Sequence, residues 1–358
     1  MSVAVRNTRA NTLTAGKLPK FAPWGLLAIS WAIFVAVFLL LKASGSTKDF
    51  NIVGALFFGT ILFDVLIVVI SMVVEGGRKA KDRLVTSLVM SAFIVVLLPL
   101  VSLVYTVISR GVARFDVQYF TYSMRNVISV GGGALHAIVG TLEITAFATL
   151  ISVPVGILTS IYLVEYGRGR LARAITFFVD VMTGIPSIVA GLFAYALFAL
   201  IAGPAIRNGA MGSIALSVLM IPIVVRSSEE ILKIVPNELR EASYALGVPR
   251  WLTIVKIVLP TSFAGLATGV VLAISRVIGE TAPLLLTTGF TTDMNYDLFS
   301  DRMMTLPVFV YTQYAQQGPD ATPYLERAWT GALVLILIVM ALNLIARIIG
   351  RFFAPRGR

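Results

Sequence analysis

Of the 358 residues, 58% are hydrophobic and only 13% are charged, with a mean hydropathy of +0.90. A soluble domain carries about 25% charged residues, so the composition excludes a soluble enzyme or binding module and defines an integral membrane protein. The net charge of +11 does not mark a nucleic-acid binder, because the basic residues lie in short loops between apolar runs, and the lack of cysteine excludes disulfides and thiolate metal sites.

In chain order, a polar segment over 1–23 is expected to be unstructured. Trp24–Leu41 and Ile52–Val74 are long enough to cross a hydrocarbon core of about 30 Å. Lys42 interrupts the approach to the small residues Ala43-Ser44-Gly45, so the first run reads as an uncleaved helix rather than a signal peptide. With the charged linker ending at Arg83, the two runs make a helical hairpin, 24–83. Asp64 lies near the middle of the second run, where a carboxylate costs about 2.5–3.5 kcal/mol, and is expected to hydrogen-bond a neighbouring helix. Six more runs follow: Leu84–Ile108, His136–Val164, Leu171–Ile201, Gly209–Val225, Thr261–Thr288 and Trp329–Ile349. They form one unit, 84–350, and a basic tail closes the chain over 351–358. The fold class is an all-α polytopic membrane protein of about eight transmembrane helices.

Alternate loops differ in charge: one set carries 20 Lys and Arg residues and the other 8. The positive-inside rule makes the richer set cytoplasmic, and both termini with it.

Within the fourth run, Glu143 is expected to pair with Arg276 or Arg207, or to reach the interface. The lone histidine, His136, has no partners at metal-ligand spacing and is expected at the interface. Gly131-Gly132-Gly133 lacks a following lysine and reads as a flexible outer turn. The fifth run contains Gly184-Ile185-Pro186-Ser187, which breaks the backbone ladder in mid-span, either as a hinge or as a packing kink. Asp180 lies one turn earlier and is a candidate polar lining residue.

Between the sixth and seventh runs stands a polar island with Arg226, Glu229, Glu230, Lys233, Glu238, Arg240, Arg250 and Lys256. It reads as two short helices, with Asn237 as N-cap and Gly247 as the break. Pro249 opens the second helix and Pro260 stops it. Such an elbow is a docking surface for something outside the membrane. The seventh run carries Arg276 and Glu280, four residues apart and hence on one helical face. A guanidinium fork suits a tetrahedral oxyanion; the competing reading is a static buried ion pair. Pro283 is expected to kink this helix. No Gly-x4-Gly-Lys-Ser/Thr motif occurs, nor a Ser/His/Asp set, so the chain is not expected to be an enzyme by itself.

The spacing of Glu241, Ala242, Ser243, Gly247, Ile257, Leu259 and Pro260 resembles the EAA loop of ABC importer permeases, with Ser243 in place of the usual second alanine. Arg276-x-x-Gly279-Glu280-Thr281-Ala282-Pro283-Leu284-Leu285 is similar to the corresponding helix of the PstA-type phosphate-importer permeases. Gly184–Phe193 resembles the same group. The similarity is strongest over 141–287 and leaves the first two helices outside. It implies a six-helix importer core preceded by the extra hairpin, in the plasma (inner) membrane of a bacterium, with 226–260 as the coupling loop to an ATPase. Arg276, Glu280, Glu143, Asp180 and Ser187 would then line a phosphate path, with Gly184, Pro186, Gly279 and Pro283 as hinges. The implied partners are a second, PstC-like permease, two copies of a PstB-like cytoplasmic ATPase and an extracytoplasmic PstS-like phosphate-binding protein. ATP and magnesium would belong to the ATPases, and no cofactor or metal to this chain. Two other readings stay open on sequence: a permease for molybdate, sulfate or an organic solute, and a membrane scaffold or channel without an ATPase.

Overall fold

The structure is a computed structural model that describes residues 18–19, 21–44 and 51–353. Most of the polar N-terminal stretch, Gly45 and the tail from 354 lie outside the described residues. The contacts divide the chain into two compact units, Met1–Val104 and Tyr105–Arg358.

The first unit is built from α1 (Ala22–Ala43), α2 (Ile52–Val74) and most of α3 (Gly77–Gly111). Asn51 caps α2 by accepting from the Gly54 amide at 2.8 Å. Phe34 stacks on Phe58, and the Trp31 indole donates to Thr60 at 3.1 Å, which ties α1 to α2. Asp64 accepts from Ser91 on α3 at 3.2 Å, the interhelical bond that its cost in lipid calls for. The expected linker Glu75–Arg83 is not one. Gly76, at φ +90°, turns the chain in a single step, and Gly77 already begins α3. The charged residues that follow are ordinary helix formers, with no proline to keep them apart from the apolar run.

In the second unit, α4 (Val117–Thr121) leads to α5 (Leu135–Ile161), which a π-helical turn extends to Tyr166. Then come α6 (Gly169–Thr183), α7 (Ser187–Ala202) and α8 (Gly209–Ile234). The elbow holds α9 (Asn237–Ala245) and α10 (Arg250–Thr253), and the chain continues into α11 (Leu259–Val277) and α12 (Ala282–Thr287). It ends with α13 (Leu306–Ala315) and α14 (Thr322–Phe353). Helix α5 lies against α8, and the hydroxyls of Ser213 and Ser217 donate to the Ile144 and Ala148 carbonyls at 3.0 and 3.4 Å. Small side chains there let two backbones approach, as membrane packing favours. Ile144, Leu216, Met220, Val277, Leu284, Met303 and Phe309 form the core.

Among the described residues, seven helices are long and apolar enough to cross a membrane, or eight if α6 and α7 are one span bent by 110°. Two expected spans differ. The sixth runs on to Ile234, because nothing interrupts it at Arg226. The seventh starts at Arg250 rather than after Pro260, and ends at Val277. Pro260 does not stop it. The π-helical turn Ile254–Val258 just before it widens the helix where the proline ring would clash and its donor is missing.

The segment after α12 packs into the core of the second unit. Met303, Met304 and Leu306 are fully buried, and the Leu306 amide donates to Thr141 at 2.6 Å. His136 is buried rather than interfacial, edge-on to Phe309. The glycine turn is pinned, since the Gly131 and Gly132 carbonyls accept from Arg114 and that of Gly131 also from buried Arg327.

Candidate functional site

Two helix breaks lie in the second unit. The first, Gly184 to Pro186, separates α6 from α7; its backbone closes on itself through Gly184 N–H to Val181 O (3.0 Å) and Ile185 N–H to Met182 O (3.2 Å). Ser187, expected to help satisfy this break, makes no side-chain hydrogen bond among the described residues and is half-buried at the start of α7. The second break, Ile278 to Thr281, separates α11 from α12. The helices that follow the two breaks touch at Gly191 on α7 and Pro283 on α12: a Cβ added at Gly191 would lie 2.7 Å from Pro283 Cα. Only a residue without a side chain permits that approach.

Arg276 sits on the last turn of α11, exposed, and Glu280 lies beyond the helix end, half-buried. The helix ends between them, so the expected four-residue helical pairing does not form. Among the described residues, neither has an ion-pair or side-chain hydrogen-bond partner. The competing static ion pair is therefore absent, and Arg276 offers an unspent guanidinium fork beside the break. Gly279, with open space around it, lies in the same turn.

The other expected path residues part company. Glu143 pairs with neither Arg276 nor Arg207; one of its carboxylate oxygens is buried without a partner on α5. Asp180 is engaged, accepting from Arg226 on α8, whose other nitrogen donates to Glu229 at 2.8 Å; Lys233 binds Glu229 at 2.6 Å. This carboxylate ties α6 to α8 rather than standing free.

The elbow is held together by its own hydrogen bonds and tied to the helices beside it. Asn237 is the first helical residue rather than the cap, because Pro236 occupies the cap position. Helix α9 closes in a Schellman turn, with Gly247 N–H on Tyr244 O (2.9 Å) and Val248 N–H on Ser243 O (3.2 Å). Gly247 has φ +75°, which a side chain disfavours. Ser243 is buried, and its hydroxyl shares a 2.8 Å hydrogen bond with Thr253 across the two short helices, so the serine adds a link that an alanine lacks. Arg240 bolts the elbow down: it binds Glu165 at 2.8 Å and the Leu232 and Val235 carbonyls at 3.0 and 2.6 Å. Glu241, Ala242, Gly247 and Pro260 are exposed, and Leu246 and Trp251 are 83% and 61% exposed. Ile257 is half-buried, and Leu259 packs inward on Leu232, Val235, Val258 and Leu266. Sequence reasoning missed Glu165, whose partner lies 75 positions away.

A polytopic helical domain with one sharply bent helix pair, a second helix break and a compact polar elbow has the architecture of an importer permease. The model of the family described as "Binding-protein-dependent transport system inner membrane component" matches residues 152–358. The "Phosphate transport system permease protein PstA 1" of Mycobacterium tuberculosis is 45% identical over 285 residues, covering 78% of this chain and 91% of that protein. The "Phosphate transport system permease protein PstA" of Yersinia pestis is 38% identical over 279 residues, covering 77% and 92%. A chain of a bacterial alginate ABC transporter, crystallised with its periplasmic protein, superimposes with a TM-score of 0.57 at 13% identity, over 78% of this chain and 97% of that one; this likeness concerns the fold alone. The chain belongs to the family of binding-protein-dependent transport system inner membrane components, within the group of PstA-type permeases.

Proposed function

We propose that this chain is one of two permease subunits of an ATP-driven importer of inorganic phosphate. The observation that carries the substrate is Arg276, an exposed cation on the last turn of α11, beside the second break and with no ion-pair or side-chain hydrogen-bond partner among the described residues. An exposed guanidinium with no protein partner keeps its donors for a visiting anion, and its planar fork matches two phosphate oxygens. Glu280 repels more highly charged anions, and Glu143 and Ser187 contribute polar groups along the path. The identity with permeases named for phosphate supports the same substrate.

The chain supplies no nucleotide site, so ATP and magnesium are held by two copies of a cytoplasmic ATPase. The ATPase grips the elbow, where exposed Leu246 and Trp251 give apolar contact around Glu241. From Arg250 the helix runs 28 residues to Val277, about 40 Å at 1.5 Å per residue. It therefore joins the elbow to Arg276 as one two-state element biased at both ends. Gly184, Pro186, Gly279 and Pro283 absorb the accompanying change in backbone direction. A second, homologous permease completes the path, and an extracytoplasmic binding protein delivers phosphate. Both termini and the elbow face the cytoplasm of a bacterial plasma membrane.

The test is radiolabelled phosphate uptake at low phosphate, with sulfate and molybdate as competitors. Uptake that requires the chain, resists both competitors and collapses in Arg276→Lys is expected. Competition by either oxyanion would reassign the substrate, and uptake independent of the chain would remove the reading.

A further inference from the structure

The first unit holds a half-open cavity of about 510 Å³ lined by its three helices. Trp24, Trp31, Phe63, Met90 and Ile94 form apolar walls, so at membrane depth the cavity has the chemistry of a hydrocarbon-chain site. One end is charged: Glu75, Lys79, Asp82 and Arg83 form the rim. Glu75 is already spent, accepting from Arg83 Nε at 2.5 Å, Ser71 at 3.0 Å and the Leu18 amide at 3.1 Å. Lys79 lies 4.0 Å from the same carboxylate, is 48% exposed and keeps donors to offer. Arg78 and Lys81 are exposed on the same first turns of α3, so residues 75–83 set four cations against two carboxylates.

The rim itself balances two cations against two carboxylates, and the excess positive charge comes from Arg78 and Lys81 beside it on α3; an apolar slot in that setting fits a molecule with an alkyl chain and a phosphate headgroup. Basic pockets between membrane helices bind such headgroups, and each basic residue near the surface contributes about 1 kcal/mol. We propose that the first unit is a binding site for an anionic phospholipid, with one acyl chain in the cavity and the phosphodiester at Lys79, in the positive field that Arg78 and Lys81 add from the neighbouring faces of α3. Asp82 sets the selectivity against doubly charged headgroups. The site uses none of the residues assigned to transport and does not depend on which solute is carried.

The full chain, purified from membranes with the subunits it retains, is titrated with phosphatidylglycerol or phosphatidylcholine and the bound lipid read by native mass spectrometry. Phosphatidylglycerol is expected to be preferred, with about fivefold weaker retention in Lys79→Glu and a further loss in Arg78→Glu/Lys79→Glu. Met90→Trp, which fills the slot, is expected to displace both lipids. Lys79 and Arg78 are exposed, so their variants report on binding even if the tryptophan disturbs folding. Equal retention of the two lipids would overturn the proposal. So would retention unchanged in the charge variants, or phosphatidylglycerol still bound when a folded Met90→Trp fills the slot.

Discussion

Arg276 and Glu75 are two charges treated in opposite ways. Among the described residues Arg276 has no ion-pair or side-chain hydrogen-bond partner, and under the proposed function its value lies in an anion that comes and goes. Arg276→Lys keeps the charge but loses the fork, and a charge-assisted hydrogen bond is worth about 1.5–3 kcal/mol. Phosphate uptake is therefore expected to fall about tenfold or more, while co-purification with partner subunits stays as it was. Glu75 is instead held in place permanently. The Arg83 guanidinium, with the Leu18 amide and Ser71 hydroxyl, lowers its pKa from 4.5 to about 2. A carboxylate with a lowered pKa in the folded state stabilises above its unfolded pKa and loses that contribution as protons reach it. Thermal unfolding in detergent should show wild type losing an advantage over Glu75→Gln as pH falls from about 4.5 toward 2, with the full advantage present at pH 6. A constant difference across that window would refute the assignment. Neither environment is written in a short motif. Charge in an apolar run marks Arg276 as costly, but only the position of the helix end shows that Glu280 is no partner.

Among the elements, the elbow and the two breaks carry the mechanics of the proposed transport. The Arg240–Glu165 bond joins α9 to the end of α5, with side chains 11% and 5% exposed. Removing one partner of such a pair costs about 3–5 kcal/mol, because the other charge stays buried. Arg240→Ala is expected to lower thermal stability and to leave ATPase activity running with little uptake; normal coupling would show that the bolt is dispensable. Gly191→Val should be worse for transport than for stability of the rest of the fold, since its Cβ would strike the Pro283 backbone while the surrounding helices remain packed; full uptake in this variant would show the contact to be slack. Both breaks were legible from Gly184-Ile-Pro186 and from Gly279 and Pro283, because these residues act locally on φ and on hydrogen bonding. The contact between the helices that follow them was not, since it depends on how α7 and α12 pack. The same limit hid Asp180 on Arg226, and the buried α13. Its apolar run, Met303 to Tyr311, is too short to span a membrane and so escapes a count of spans.

For the molecule as a whole, eight apolar runs and the asymmetry of Lys and Arg made the class readable from composition. The bent pair α6–α7 was readable only as an overlong run. The boundary between the two units was not, because α3 begins inside the charged stretch expected to be a linker. The absence of cysteine makes topology directly measurable. Single cysteines at Leu246 and at Phe299, both exposed, should react with an impermeant maleimide from opposite sides of sealed vesicles. Labelling from the same side would reverse the argument from charge and remove the elbow from the cytoplasm.

The contact at Gly191 and Pro283 has a mechanical consequence. Backbone rests there against a rigid ring, with no flexible side chain between to be compressed or to swing aside. Surfaces of that kind resist being pressed together, yet they slide past each other easily. Relative motion of α7 and α12 is therefore confined to shear along a shared track, in the manner of packed helices that move by small translations. A bearing of this sort fixes the spacing of the two helices while leaving their direction of travel free to change.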